Sequence, residues 1–226
     1  MKSKPLSAIL LDMNDRRPAA RRTGRPGKRQ AITEAARGVF GRDGYTRASV
    51  DTIAVEANVS KRTIYNHFAD KEELFLTVAV EGADAVTEAI WVLMERHLWN
   101  VTDLERDLIA FNLDRARTIT EFPDHFALVR TIHQEVTRLP EKVLERWLAH
   151  GPPSAHRRLA PYLQKIADRG LLALDDAEKA ANVLNMLTIN DILTRSFHGA
   201  IPLPDDETNE IITDGVRAFL RLYAKE

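Results

Sequence analysis

SVDTIAVEANVSKRTIYNHF, residues 49–68, is the stretch on which the reading of this chain turns. Ser49 is a good N-cap, since its hydroxyl can accept a backbone N–H that a first helical turn leaves unpaired. Val50, Ile53, Ala54 and Ala57 recur at i, i+3, i+4 and i+7, which is one face of a helix. The pattern stops at Asn58, a residue that tolerates the left-handed conformation and can turn the chain. Val59 fills the corner and Ser60 caps a second helix, whose apolar residues Ile64 and Phe68 share one side. Lys61, Arg62, Thr63, Tyr65, Asn66 and His67 are left to face outward. The spacing predicts a helix-turn-helix.

The second helix carries side chains suited to a major groove. Lys and Arg donate to guanine or phosphate, Asn pairs with adenine, and Thr and Tyr reach phosphate oxygens. The competing reading is an ordinary pair of surface helices with a polar face.

The surroundings narrow this choice. The net charge of −1 hides an asymmetry. Residues 1–69 carry 14 Lys or Arg against 6 Asp or Glu, an excess of 8 positive charges; residues 70–226 carry 18 against 27, an excess of 9 negative ones. A basic head on an acidic body fits a head that touches nucleic acid. Arg16, Arg17, Arg21, Arg22, Arg25, Lys28 and Arg29 follow one another with no acid between them, among Pro18, Gly24, Pro26 and Gly27. Residues 1–27 therefore read as a disordered basic arm that neutralises phosphate or enters a minor groove; a plain solvated tail has the same composition.

Residues 29–76 resemble the DNA-binding domain of the TetR family of bacterial transcriptional regulators. The resemblance rests on AITEAARGVFGRDGYTRASV (residues 31–50), on the turn Ala57-Asn58-Val59-Ser60, on Thr63 to Phe68, and on Lys71-Glu72 opening a fourth helix. Asn58 stands where that family usually has Gly, and His67 where it often has a second aromatic. The resemblance implies DNA contacts from Arg25, Arg29, Thr46, Ser49, Ser60, Lys61, Arg62, Thr63, Tyr65, Asn66, His67 and Lys71. Ser49 is also accounted for as a cap alone. Lys71 is expected to clamp a phosphate beside a helix N-terminus.

At 226 residues and 44% apolar, the chain has ample material for a core. It has no cysteine, which excludes disulfides and zinc fingers and is compatible with a reducing cytoplasm. No apolar run approaches the roughly 20 residues of a membrane span, so no membrane partner is expected. The expected fold class is all-α: residues 28–75 form the helix-turn-helix domain and residues 76–226 a helical domain for effector binding and dimerisation. A first helix is predicted over about 28–42 and a fourth from Asp70 to about Arg96, with Glu73 completing a capping box. Six more follow: Thr102 to about Thr120, after Pro123 to near Leu139, a short one from Pro140, Ser154–Asp168, Asp175 to about His198, and one after Pro204. Residues 154–174, followed by Asp175-Asp176-Ala177-Glu178, resemble the C-terminal region of AefR-like repressors within that family.

The last two long helices have apolar residues over much of their circumference, so each must be buried on more than one side. Leu184, Leu187, Ile192, Ile212, Val216 and Phe219 are expected in a four-helix interface about a two-fold axis; the same pattern would suit a helix pair central to one monomer. A dimer sets two recognition helices one turn of DNA apart, about 34–36 Å, to read a near-palindrome. An effector pocket is sought among Trp91, Leu108, Phe111, Arg115, Phe122, Phe126, Arg130, His133 and Trp147, of which Arg115 and Arg130 would need an anionic partner if buried. Each of these also reads as plain core or surface.

No H-E-x-x-H, nucleophile elbow or Gly-rich phosphate loop occurs. No enzyme, metal or cofactor is implied. The expected partners are a double-stranded DNA operator, a second copy of the chain, and a small-molecule effector that relieves repression. A low-specificity protein that coats DNA, or a helical enzyme carrying a borrowed helix-turn-helix, are the competing readings.

Overall fold

The computed structural model describes residues 27–150 and 152–225, which form eleven helices. The only extended pairing among the described residues is an isolated antiparallel bridge between Leu172 and Ala224. The expected all-α class holds.

The head is α1 (Lys28–Arg47), α2 (Val50–Glu56) and α3 (Lys61–Tyr65). Regular α1 geometry is interrupted at Gly44, at φ 81° and ψ 166°. That region is essentially closed to residues with a Cβ. Ser49 and Ser60 cap as their sequence positions suggest: their hydroxyls accept from the N–H of Thr52 and Thr63 at 3.0 and 3.1 Å. Asn58 takes φ 51°, so it makes the left-handed turn for which Gly is usual. Ile32, Phe40, Ile53, Ile64, Phe68 and Phe75 are buried in one cluster, with Phe40 and Phe75 edge to face at 4.9 Å. Each side chain of this size adds about 1.5–3 kcal/mol on leaving water.

Helix α4 (Lys71–Leu98) runs from the head into the body. Asp70 accepts from Glu73 N–H at 2.7 Å, while the Glu73 carboxylate takes the N–H of Ala69 at 2.6 Å, one residue upstream of the capping-box position.

The body comprises α5 (Leu104–Glu121), α6 (Pro123–Glu135), α7 (Glu141–His150), α8 (Pro152–Asp168), α9 (Ala177–Leu187), α10 (Ile189–Arg195) and α11 (Asp205–Tyr223). Several boundaries differ from the sequence reading. Asp103, not Thr102, caps α5 by accepting from Arg106 N–H. Asp176, not Asp175, caps α9. The single helix expected up to His198 breaks at Thr188, at φ −126° and ψ −92°. There the Thr188 hydroxyl donates to the Leu184 carbonyl at 2.6 Å, a side-chain bond that competes with the helical ladder. Helix α11 also crosses at this point: a Cβ on Gly215 would run into the Leu187 carbonyl.

The expected interface stripe needs correction. Leu184, Ile212, Val216 and Phe219 are fully buried, and Ile192 nearly so, in the protomer's own core with Met94, Leu108, Phe111 and Leu163. Helix α9 packs against both α8 and α11, and this core takes up the stripe assigned to a partner. What these helices leave outward is half-buried Leu187 and Ile211, with Met186 and Leu222 exposed at 51% and 66%. Periodicity finds two apolar faces but cannot say which meets the protomer's own chain.

The head's core does not end at residue 75. Leu128, Val129 and Ile132 of α6 and Val143 and Trp147 of α7 belong to the same cluster. The most extensive helix contact in the molecule is α1 against α6. It is close because Gly41 lies against Ala127, and Thr131 donates to the Phe40 carbonyl at 3.2 Å.

Candidate nucleic-acid interface and cavity

Helix α3 presents its polar residues to solvent while Ile64 and Phe68 anchor it from below. Ser60, Lys61, Arg62, Tyr65, Asn66 and His67 are exposed; Thr63 is half-buried, its hydroxyl 2.8 Å from that of Ser60. Lys61 pairs with Asp51 at 3.0 Å. Asp51 is 71% exposed, and such a surface pair is weak enough to exchange for a phosphate. Tyr65 is 46% exposed.

Behind α3, the other sequence candidates are differently placed. Arg25 lies outside the described residues. Arg29 donates to Glu81 at 2.9 Å and stands over the Phe68 ring at 5.4 Å. Lys71 turns inward: its ammonium donates to the carbonyls of Tyr45 and Ala48 at 2.9 and 3.2 Å and lies 4.6 Å from the Tyr45 ring. Here it pins the end of α1 to α4 instead of standing free for a phosphate, because the turn after Gly44 brings two carbonyls with no helical partner to its head.

Thr46 is also engaged. Its N–H and hydroxyl donate to Glu135 at 2.9 and 2.5 Å. Glu135 ends α6, and a Cβ on Gly44 would run into its carboxylate. No local sequence signal points to this contact, since the partners are 89 residues apart.

The same helix, α6, borders a cavity of about 320 Å³, lined from α4, α5, α6, α7 and α9–α10. Arg115, Phe126, His133 and Trp147 of the sequence candidates line it. Phe111 and Leu108 lie instead in the body's core, Trp91 is 42% exposed, and Phe122 packs on the core's edge. Arg130 is half-buried and donates to the His198 carbonyl at 2.7 Å. His198 sits at φ 52° in a turn between Phe197 and Gly199, both also left-handed, and its ring meets that of His133 at 4.6 Å.

Residues that sequence reasoning missed complete the lining: Thr87, Thr118, His125, Asn185 and Asn190 among the polar ones. Asn185 is buried at 5% exposure, which the sequence of its helix, with Glu178, Lys179 and Asn182 also in it, does not signal. His125 fits because Gly82 leaves room for it; a Cβ there would come within 2.9 Å of its Nδ1. Burial, with the nearby Arg37 charge, pushes the His125 imidazole down to about 4, so it is neutral at pH 7. Burial likewise lowers the Arg115 guanidinium to about 10, where it is still a cation.

Among the described residues no helix is long and apolar enough to cross a membrane, and no group of three or more His, Asp or Glu is arranged to hold a metal ion.

Comparison with known proteins agrees with this architecture. Residues 32–78 match the family model for bacterial regulatory proteins of the tetR family, and residues 107–225 match that for the C-terminal domain of AefR-like transcriptional repressors. The chain is 32% identical over 192 residues, 84% of its length and 92% of the relative's, to the HTH-type transcriptional repressor AcnR of Corynebacterium efficiens. Among solved structures it resembles a TetR-family transcriptional regulator of Mesorhizobium loti, with a TM-score of 0.77 and 28% identity over 87% of this chain and 96% of that one. It also resembles the flavonoid-responsive regulator FrrA, with a TM-score of 0.63 and 28% identity over 87% and 97%. A capped helix-turn-helix in the head and an AefR-type helical body behind it are thus found in one chain, which belongs to the TetR family of bacterial transcriptional regulators.

Proposed function

We propose that this protein is a repressor that binds a near-palindromic operator as a homodimer and leaves it when a small molecule fills the cavity. The observation that carries the reading is the span of α6. His125, Phe126, Val129 and His133 border the cavity, and Glu135 in the same helix accepts from Thr46 of the head. A ligand that displaces α6 would therefore act directly on the backbone and hydroxyl of a residue at the edge of the DNA-facing surface. The ligand must bind the non-DNA conformation more tightly, or it shifts nothing. FrrA, described as flavonoid-responsive, and AcnR, described as a repressor, support a small-molecule response and repression respectively.

In this reading Lys61, Arg62, Tyr65, Asn66 and His67 contact the operator, with Ser49, Ser60 and Thr63 near its phosphates. The second copy docks on the outward apolar residues of α9 and α11, Leu187 foremost. Selection of bound DNA from a random pool at moderate salt tests the proposal. A short near-palindrome with half-sites about one turn apart, 34–36 Å, is the expected result. Tight, salt-sensitive binding with no enriched sequence would overturn it in favour of a protein that coats DNA.

A further inference from the structure

Arg115 is the most telling group in the cavity. It is 6% exposed, and its Nη2 donates to Asn185 Oδ1 at 2.7 Å, while its Nε has no partner. Burial alone accounts for the lowered proton affinity of the guanidinium; no neighbouring charge contributes. Among the described residues that line the cavity there is no Asp or Glu. The other polar groups are threonines, asparagines and three imidazoles, and that of His125 is buried with an unpartnered Nδ1. A desolvated cation left with one neutral hydrogen-bond partner is an arrangement that proteins keep when something else supplies the charge. The remaining wall is apolar, from Val86, Ile90, Phe126, Val129 and Trp147.

We propose that the cavity takes a small organic acid, its carboxylate against Arg115 and its apolar body against Val86, Ile90, Phe126 and Trp147. Guanidinium and carboxylate match in geometry as well as charge, because the planar fork donates two parallel N–H bonds. The size follows from the cavity: its 320 Å³ holds roughly ten non-hydrogen atoms, at the about 30 Å³ that a water-sized group takes in the liquid. Octanoate and 3-phenylpropanoate are therefore suitable probes for an alkyl and an aryl body.

The inference rests on the cavity being an effector site, and its test is kept apart from operator release. Binding of each acid, and of 1-octanol and 3-phenylpropanol as uncharged counterparts, is measured on the full chain by calorimetry and by the shift in melting temperature. The expected result is that at least one acid binds at least tenfold more tightly than its alcohol. The R115Q variant should lose at least tenfold in acid affinity and keep that for the alcohol. Equal affinity of acid and alcohol, no binding of either acid at millimolar concentration, or the same stabilisation from sodium chloride at matched ionic strength would each overturn the proposal. The acid–alcohol comparison on the unaltered chain decides the matter even where R115Q does not fold. An acid that binds without releasing the operator would break the effector reading and leave this one standing. Release by an uncharged compound, with no acid binding, would do the reverse.

Discussion

The head and the cavity both depend on positive charge, but they hold it in opposite ways. Lys61 and Arg62 stand in water on a five-residue helix, the first of them in an exchangeable pair with Asp51. Arg115 is buried in the cavity wall and donates to the side-chain amide of Asn185. Cations in water are cheap to hold and individually unselective; they suit a long polyanion whose counterions are released on binding. A cation out of water is expensive to hold, and the same desolvation makes it discriminating, because only a matched anion of the right size relieves it. In the proposed reading, the dielectric around each charge separates reading a polymer from sensing a small solute.

The largest effect that would break this comparison is loss of the exposed set. Replacing Lys61 and Asn66 together with Ala is expected to abolish specific operator binding, with affinity falling about 100-fold or more, since each base-reading pair is worth about 1–3 kcal/mol. The dimer should be unaffected by sedimentation. A double variant that protects the same site in a footprint would remove α3 from the recognition role. Next comes the body's outer face: Leu187→Asp should convert the dimer to monomers and weaken operator binding with it, because a charge would enter an apolar interface. A soluble dimer of this variant would move the interface elsewhere.

A third test probes the buried side through His125. Its imidazole titrates near 4 in the folded chain, against about 6.5 in the unfolded one. Over that window the unfolded state takes up the proton first, so folding stability falls as pH drops from about 6.5 towards 4. Between pH 7 and pH 5 the loss should be about 2 kcal/mol by urea denaturation. His125→Gln should flatten that slope; an unchanged slope would place the titrating group elsewhere. The smallest effect joins the two regions. Glu135→Gln weakens the hold on Thr46, and the effector's effect on operator affinity should shrink by about three- to fivefold, the scale of one hydrogen bond of roughly 1 kcal/mol. Unaltered affinity and unaltered release would show that this contact does not couple the cavity to the head.

The sequence made the head far more legible than the cavity, and the reason is range. The helix-turn-helix is written in local rules: two serine caps, an Asn able to turn left-handed, and apolar residues three and four apart. Ser49, Ser60 and Asn58 all do in the structure what those rules require. Lys71 departed from its expected place because its partners, the carbonyls of Tyr45 and Ala48, are brought to it by a turn more than twenty residues earlier. The cavity depends on five stretches that approach one another only in the fold, so Arg115, Phe126, His133 and Trp147 could be guessed from type while His125, Thr118 and Asn185 could not. Leu184 and Phe219 were assigned to a partner for a related reason: a helix apolar on two faces does not record which face meets its own chain.

Gly44 has a consequence for genetics. Its backbone angles exclude other residues at a cost of about 1–3 kcal/mol, and any side chain there would also push the Glu135 carboxylate away from Thr46. One codon thus guards both the shape of the head and its tie to α6. A selection for regulators that hold their operator but no longer answer their effector should return changes at Glu135 and in the cavity. Gly44 should appear instead among alleles that have lost the operator altogether, and its recovery in the first class would show that the head tolerates what its geometry forbids.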